Sequence, residues 1–338
     1  MKTNLKNLSD HDLTAWLQTR GEPAFRCRQI RHWLYKRWAM ASSEMTNLPQ
    51  PLRDDLAETF RVFSLNLRQT LEADDDTRKF LFELRDGETI ETVLLKTARR
   101  STVCVSTQVG CPVRCAFCAS GRHGLIRNLD TAEIIDQIVY ACRELGERVN
   151  NIVVMGMGEP LLNLDALLPA LHRVNAADGL EIGARHITIS TSGIVPGIRT
   201  LAELGRQWNL ALSLHAASEA TRRNLIPDAY RYPLGDVVRA CRQYREKTNR
   251  LVTLEYTLLK GRNDNESDVR ALGRLATELR AKVNLIPCNP GETAFCRPER
   301  RRISGIEHQL DTMGVRVTVR RSRGEQIQAA CGQLRTRV

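Results

Sequence analysis

The 338-residue chain has no apolar run approaching the ~20 residues that a bilayer-spanning helix requires, and it opens on the polar Met1-Lys2-Thr3-Asn4. Neither membrane insertion nor export is therefore expected, and the expected location is cytoplasmic. Its 10 cysteines are too sparse for a disulfide scaffold, which fits a reducing compartment where thiols bind metal or carry redox chemistry. Internal repeats and low-complexity tracts are missing too. Carboxylates are in deficit, with 39 Asp and Glu against 50 Lys and Arg, leaving a net charge of +11 and a pI near 9.4. That excess, mostly Arg, points to a polyanionic partner, nucleic acid first, because cations bound to a phosphate backbone release its condensed counterions. The guanidinium also grips phosphate with two hydrogen bonds and stacks on unpaired bases. Basic residues gather at Arg26, Arg28, Arg31, Lys36 and Arg37, and again at Arg297, Arg300, Arg301, Arg302, Arg316, Arg320, Arg321 and Arg323. A solvated basic surface is the alternative reading.

A chain of this length predicts one large α/β unit with a smaller appendage. Ser9-Asp10-His11-Asp12 is a helix-start pattern, and Gly21 and Pro23 precede a stretch with Ile30, Trp33 and Leu34 at helical spacing. Residues 1–62 thus read as a helical accessory domain. Two alternating runs, Lys79 to Leu84 and Thr89 to Leu95, meet across Asp86-Gly87, a favoured hairpin turn, so 63–96 reads as a β-hairpin linker. From Val103 strand and helix patterns alternate. Strands are expected at Val103–Thr107, Ile152–Gly156, His186–Thr191, Leu210–Leu214, Val252–Leu258, Val283–Pro287 and Val315–Val319, with a capped helix at Thr131–Leu145. Such alternation predicts a parallel sheet, open or curled. Gly156-Met-Gly158-Glu159, Ser190, Ser213-Leu214-His215 and Asn289 fall at strand ends, where barrels build active sites, which favours a partial (β/α) barrel over residues 97–334.

The chemistry starts at Cys111-Pro-Val-Arg-Cys115-Ala-Phe-Cys118, a C-x3-C-x2-C run with three thiolates and no fourth. A structural zinc site is closed by four protein ligands, whereas an iron–sulfur cluster held by three cysteines keeps one iron open. A zinc reading would recruit His123 or Cys104, but no second cysteine pair stands at zinc-ribbon spacing. In Gly156-Met-Gly158-Glu159-Pro160 two glycines admit a ligand to the backbone and Glu159 offers an acceptor; Leu161 replaces the third glycine of a dinucleotide fingerprint. Cys104 and Cys331 stand outside the cluster run. The remaining cysteines, Cys27, Cys142, Cys241, Cys288 and Cys296, carry no evident role, and Cys142 reads as core.

The C-x3-C-x2-C run resembles the radical S-adenosylmethionine (SAM) superfamily. The resemblance narrows to the RlmN/Cfr family of RNA methyltransferases through Cys-Val-Ser-x-Gln-x-Gly-Cys at Cys104, Arg-Asn-Leu at Arg127, Met-Gly-Met-Gly-Glu at Met155 and Ile-Ser-Thr-Ser-Gly at Ile189. Ser-Leu-His at Ser213, Asn-Leu-Ile-Pro-x-Asn-Pro at Asn284 and Arg-Gly-x-x-Ile-x-Ala-Ala-Cys-Gly-Gln-Leu at Arg323 complete it, so it spans nearly all of 90–334. Gly-Glu-Pro-Ala-Phe-Arg at 21–26 is similar to the family's accessory domain.

The resemblance implies a [4Fe-4S] cluster on Cys111, Cys115 and Cys118, and two SAM molecules per turnover contacted by Gly158, Glu159, Ser190, Ser213, Leu214, His215 and Asn289. It implies that Cys331 carries the methyl group as S-methylcysteine, that Glu91 accepts the ring proton, and that Cys104 frees the product through a transient disulfide with Cys331. The implied substrate is an adenine in 23S rRNA, with tRNA as a further candidate, and Glu159-Pro160 with the N-terminal segment favours carbon 2 over the carbon 8 of Cfr-like members. A flavodoxin or ferredoxin electron donor and a monomeric chain are expected. Departures lie in Cys118-Ala-Ser-Gly-Arg-His-Gly and in a shortened loop from Asn289 through Arg297. Two readings of other classes remain, a zinc-dependent RNA-binding protein without catalysis, and a radical SAM enzyme acting on a protein or small molecule, for which Cys104 and Cys331 are incidental.

Overall fold

The computed structural model of the protein describes residues 2–227, 232–289, 294–320 and 323–334. Arg321, Pro290 and part of the shortened loop lie outside the described residues. Among the described residues no helix is long and apolar enough to cross a membrane.

The chain starts with β1 (Thr3–Asn4), then α1 (Asp10–Gln18), α2 (Phe25–Lys36), α3 (Gln50–Thr59) and β2 (Phe60–Arg61), with β1 and β2 parallel. Ser9 caps α1 by accepting the Asp12 N–H, and Leu13, Leu17, Ile30, Leu34, Leu52 and Leu56 make the apolar seam of these helices. The basic cluster here is only partly a surface. Arg31 is buried, paired with Asp10, and donates to the Leu5 and Leu8 carbonyls, so its charge organises the N-terminal turn. Lys6 and Asp136 form a buried ion pair at 2.7 Å that ties this segment to the main body.

An antiparallel meander follows: β3 (Asn66–Glu72), β4 (Thr77–Glu83), β5 (Thr89–Thr97) and β6 (Arg100–Cys104). The expected hairpin is β4–β5, with Gly87 at φ +87° in its turn. It extends the main sheet, because β5 hydrogen-bonds to β6 with Val93 opposite Cys104. A short ribbon, β7 (Gln108–Gly110) with β8 (Leu125–Asn128), comes next. The rest alternates: α4 (Thr131–Leu145), β9 (Asn151–Val154), α5 (Leu164–Asn175), β10 (Ile187–Thr191), α6 (Val195–Glu203), β11 (Asn209–Ser213), α7 (Glu219–Leu225), α8 (Leu234–Thr248), β12 (Thr253–Leu258), α9 (Glu266–Leu279), β13 (Lys282–Pro287), α10 (Arg300–Thr312) and β14 (Val317–Val319).

One sheet holds ten strands in the order β14-β13-β12-β11-β10-β9-β6-β5-β4-β3, parallel from β6 to β14. This is a partial (β/α) barrel, as the alternation predicts. Strand cores such as Ile187, Ile189, Leu210 and Leu212 are buried, as parallel strands covered by helices must be. Asp130 and Glu133 form the expected capping box of α4, which buries Ile134, Ile135, Ile138, Val139 and Cys142. The first parallel strand ends earlier than expected, at Cys104. Val105 still bonds to Val153, but Thr107 N–H then turns to the Met157 carbonyl, lining the chain up with the barrel mouth.

Candidate active site

The three-cysteine run fills the connection between β7 and β8. Cys111 N–H donates to the Gly124 carbonyl at 2.9 Å, and Cys118 N–H to that of Cys115 at 3.0 Å. Gly121 is required here, since a Cβ would stand 2.7 Å from the Arg114 Cα. The loop so compacted turns Cys111, Cys115 and Cys118 into a chamber at the carboxyl ends of the strands. Gly158, Glu159, Ser190, Ser213, His215, Asn289 and Cys331 line the same chamber. Burial, then neighbouring negative charge, pushes the Cys111 thiol up to about 12 and Cys115 well up; burial raises Cys118 as well. Thiols in such a place ionise when a cationic group sits among them.

The other members are held by their own bonds. Gly158 stands at φ +104°, and a Cβ would meet Gln108 at 2.7 Å. Glu159 is buried with Oε2 accepting from Ser192 N–H (2.7 Å) and Oγ (2.8 Å) and Oε1 from Leu161 N–H (3.1 Å). Burial raises this carboxyl and the Ser192 bonds oppose that. Oε2 thus has both lone pairs occupied, and Oε1 keeps one for a ligand ammonium. Ser190 and Ser213 share a hydroxyl contact of 3.1 Å across β10 and β11. His215, at φ +54°, accepts the Thr257 N–H at Nδ1 (3.1 Å) and sets its ring 4.7 Å from that of Phe117 in the cysteine loop. Burial pushes it down to about 3, with the Arg222 charge adding to this, so the neutral ring presents Nε2–H. Leu214 differs from the rest: its side chain is in the core, and its N–H pairs with the Glu255 carbonyl at 3.0 Å.

Cys331 sits in a clamped loop. Asn289 Nδ2 donates to its carbonyl at 3.1 Å, Ala119 N–H to the Gly332 carbonyl at 2.8 Å, and Ser120 Oγ to that of Leu334 at 2.5 Å. The cysteine loop and the C-terminal loop are therefore fastened together. Cys331 also lines an adjoining cavity with Cys104, Val93, Leu95 and Arg320. Burial, then the Cys331 charge, pushes Cys104 up to about 12, while Arg320 pulls it back. Both thiols are free. Glu91 is close by but lines neither cavity. It is fully buried on β5, and its carboxylate pairs with Lys79 Nζ at 3.0 Å.

Several site residues escaped the sequence reading. Ser192 lay inside a recognised motif. Arg320 belongs to a basic cluster that the sequence offers to a polyanionic partner, yet it lines both cavities. Arg323 in that cluster is half-buried and donates to the carbonyls of Asp75 and Lys96, and Arg302 donates to the Asp264 carbonyl. Cys288 is buried and lines the chamber, Cys296 is exposed, and Cys27, Cys142 and Cys241 are core.

Three soft donors in one chamber suit an iron–sulfur cluster. A closed zinc site needs a fourth protein ligand, whereas a four-iron cluster on three cysteines keeps one iron open. With a partial barrel and a glycine-glutamate turn at the next strand end, this defines a radical SAM enzyme. Residues 105–272 match the Radical SAM superfamily, and residues 3–62 match the Ribosomal RNA large subunit methyltransferase N-terminal domain. A Symbiobacterium thermophilum protein described as a probable dual-specificity RNA methyltransferase RlmN is 47% identical over 98% of this chain and 91% of its own. One from Halalkalibacterium halodurans with the same description is 46% identical over 99% and 93%. The crystal structure of a radical SAM methyltransferase from Sphaerobacter thermophilus superposes with a TM-score of 0.95 at 45% identity, covering 98% of this chain and 99% of that one. The chain belongs to the RlmN family of radical SAM RNA methyltransferases, with a [4Fe-4S] cluster and SAM as its cofactors.

Proposed function

We propose that this enzyme methylates carbon 2 of an adenine in 23S rRNA, and of an adenine in tRNA, through a methyl group carried on Cys331. The observation that carries the reading is the placement of Cys331, which faces the three-cysteine chamber on one side and Cys104 on the other. Cys111, Cys115 and Cys118 would hold the cluster, which with SAM supplies a methyl group and a carbon-centred radical.

An adenine ring carbon of this kind is electrophilic, so it cannot take a methyl cation directly, whereas a thiolate can. Cys331 Sγ therefore accepts the methyl group first. After a hydrogen atom is removed from it, the carbon bonds to the adenine and joins RNA to enzyme. Glu91 takes the proton from the ring carbon, leaving the C–H electron pair in the ring, and the unpaired electron that the radical addition left there would be given up to the oxidised cluster, so that a closed-shell thioether joins Cys331 to the adenine. Cys104 Sγ then attacks Cys331 Sγ. The S–S bond forms and the S–C bond breaks, its electron pair staying on the methylene carbon, which is protonated to a methyl group. Arg320 supports the Cys104 thiolate in that step. The N-terminal helices serve as an RNA-binding accessory domain, and a flavodoxin or ferredoxin delivers the electron.

The test is mass mapping of adenines in rRNA and tRNA from cells with and without the protein, joined to two variants. Cys331→Ala should abolish product, and Cys104→Ala should accumulate an RNA–protein adduct. Product from Cys331→Ala would overturn the carrier role, and a mark at carbon 8 would overturn the assignment to carbon 2.

A further inference from the structure

Lys79 is one of few lysines with a buried side chain, and none of the steps above uses it. It lies on β4 on the same face as Thr77, with its ammonium 3.0 Å from Glu91 Oε1 and donating to the Gln328 carbonyl at 3.0 Å. Only 3% of the Lys79 side chain and 1% of that of Glu91 are exposed. Around them Glu91 N–H contacts Met157 Sδ at 3.4 Å, and Ser106 Oγ donates to the Glu91 carbonyl at 2.7 Å. Gln328 lines the chamber three positions before Cys331, at φ +52°. One ammonium therefore bridges the carboxylate of β5 and the main chain of the methyl-carrying loop.

A carboxylate sealed from water keeps its charge only while a cation or donors compensate it; without them it takes up a proton. A protonated Glu91 has no site for a second proton. We propose that Lys79 is a positioning residue that keeps Glu91 in its proton-accepting form and fixes it against the loop bearing Cys331. This rests on the reading of Glu91 as the proton acceptor. The ring C–H bond breaks after the Cys331 carbon has joined the adenine, so loss of Lys79 acts late, at the adduct. Deletion of a general base slows the step by about 100-fold or more.

The test uses Lys79→Met, Lys79→Arg, Glu91→Gln and the double variant. In the apoprotein, infrared difference spectra of Lys79→Met should show the C=O band of a protonated carboxyl that is missing from wild type and from Lys79→Met/Glu91→Gln. In the loaded enzyme, Cys331 of Lys79→Met should still become methylated, and the RNA adduct should decay about 100-fold more slowly. A deuterium isotope effect from adenine labelled at the reacting carbon should then appear on that decay. Lys79→Arg should recover most of the rate, and the double variant should be no slower than Glu91→Gln. Adduct decay at the wild-type rate in Lys79→Met, or failure already at Cys331 methylation, would overturn the proposal. The Glu91 reading fails separately, by wild-type turnover of Glu91→Gln.

Discussion

Asn289 Nδ2 donates to the carbonyl of Cys331 at 3.1 Å, so a residue that the family resemblance implies for SAM also holds the main chain of the proposed methyl carrier. The same loop is fixed to the cysteine run by Ala119 and Ser120. Asn289→Ala removes one of the bonds that hold this loop. A hydrogen bond of this type contributes about 0.5–1.5 kcal/mol, which corresponds to a loss of about 3–10-fold. The expected outcome is a drop of that size in the rate of Cys331 methylation, read by intact-protein mass spectrometry, with the fold and iron content retained.

Ser192 gives both its N–H and its Oγ to Glu159 Oε2, at 2.7 and 2.8 Å. Ser192 is anchored in turn by Arg222, whose guanidinium donates to its carbonyl. Ser192→Ala deletes the hydroxyl bond to a buried carboxylate, and bonds to charged groups contribute about 1.5–3 kcal/mol. SAM affinity of the reconstituted enzyme, measured by equilibrium binding, should fall about 10–100-fold. A variant that binds SAM as wild type does would show that Glu159 is not oriented through Ser192.

Gly158→Ala should fail for a reason of backbone and space together. The residue stands at φ +104°, and the added Cβ would lie 2.7–2.9 Å from Gln108, whose own Oε1 accepts the Glu159 N–H at 2.8 Å. Placing a side chain at such φ costs more than about 1 kcal/mol even without the clash. The expected result is a lowered melting temperature with loss of SAM binding, measured by calorimetry.

Much of this architecture was legible because parallel strands covered by helices read as apolar runs, as at Ile152–Val154 and Leu210–Leu212. β3 was missed because Asn66–Glu72 is an edge strand exposed along nearly its whole length and carries no alternating pattern. The cysteine run announced its chemistry through spacing. The Lys79–Glu91 pair did not, because its members lie on different strands and are not register partners, Lys79 standing opposite Val93 and Glu91 opposite Leu81. Arg320 and Arg31 stand in the sequence among charged neighbours that suggest a polyanion-binding cluster, and only packing shows which arginines of such a cluster turn inward.

His215 makes the fold acid-sensitive in a way that can be isolated. Burial holds its pKa near about 3, against 6.5 for a free imidazole, because the ring is enclosed, faces Arg222 and already accepts the Thr257 N–H. The folded value is the depressed one, so unfolding takes up a proton whenever the pH is below about 6.5. The stabilisation is fully present above that pH and is lost as the pH falls toward 3, at up to about 1.4 kcal/mol per unit. Glu159 runs the other way. Burial raises its pKa in the fold, so acidification favours the folded form through that group. A single pH profile of stability therefore mixes the two, and a comparison with His215→Gln separates them. Gln keeps an oxygen for the Thr257 N–H and does not titrate. Between pH 6.5 and 5 the wild-type apoprotein should lose about 1.6 kcal/mol more than the variant, seen as converging urea midpoints on acidification. Parallel midpoints across that range would mean that the imidazole is protonated in the folded protein, and with that the Nδ1 acceptor that holds the His215 ring against Phe117 of the cysteine run would be gone.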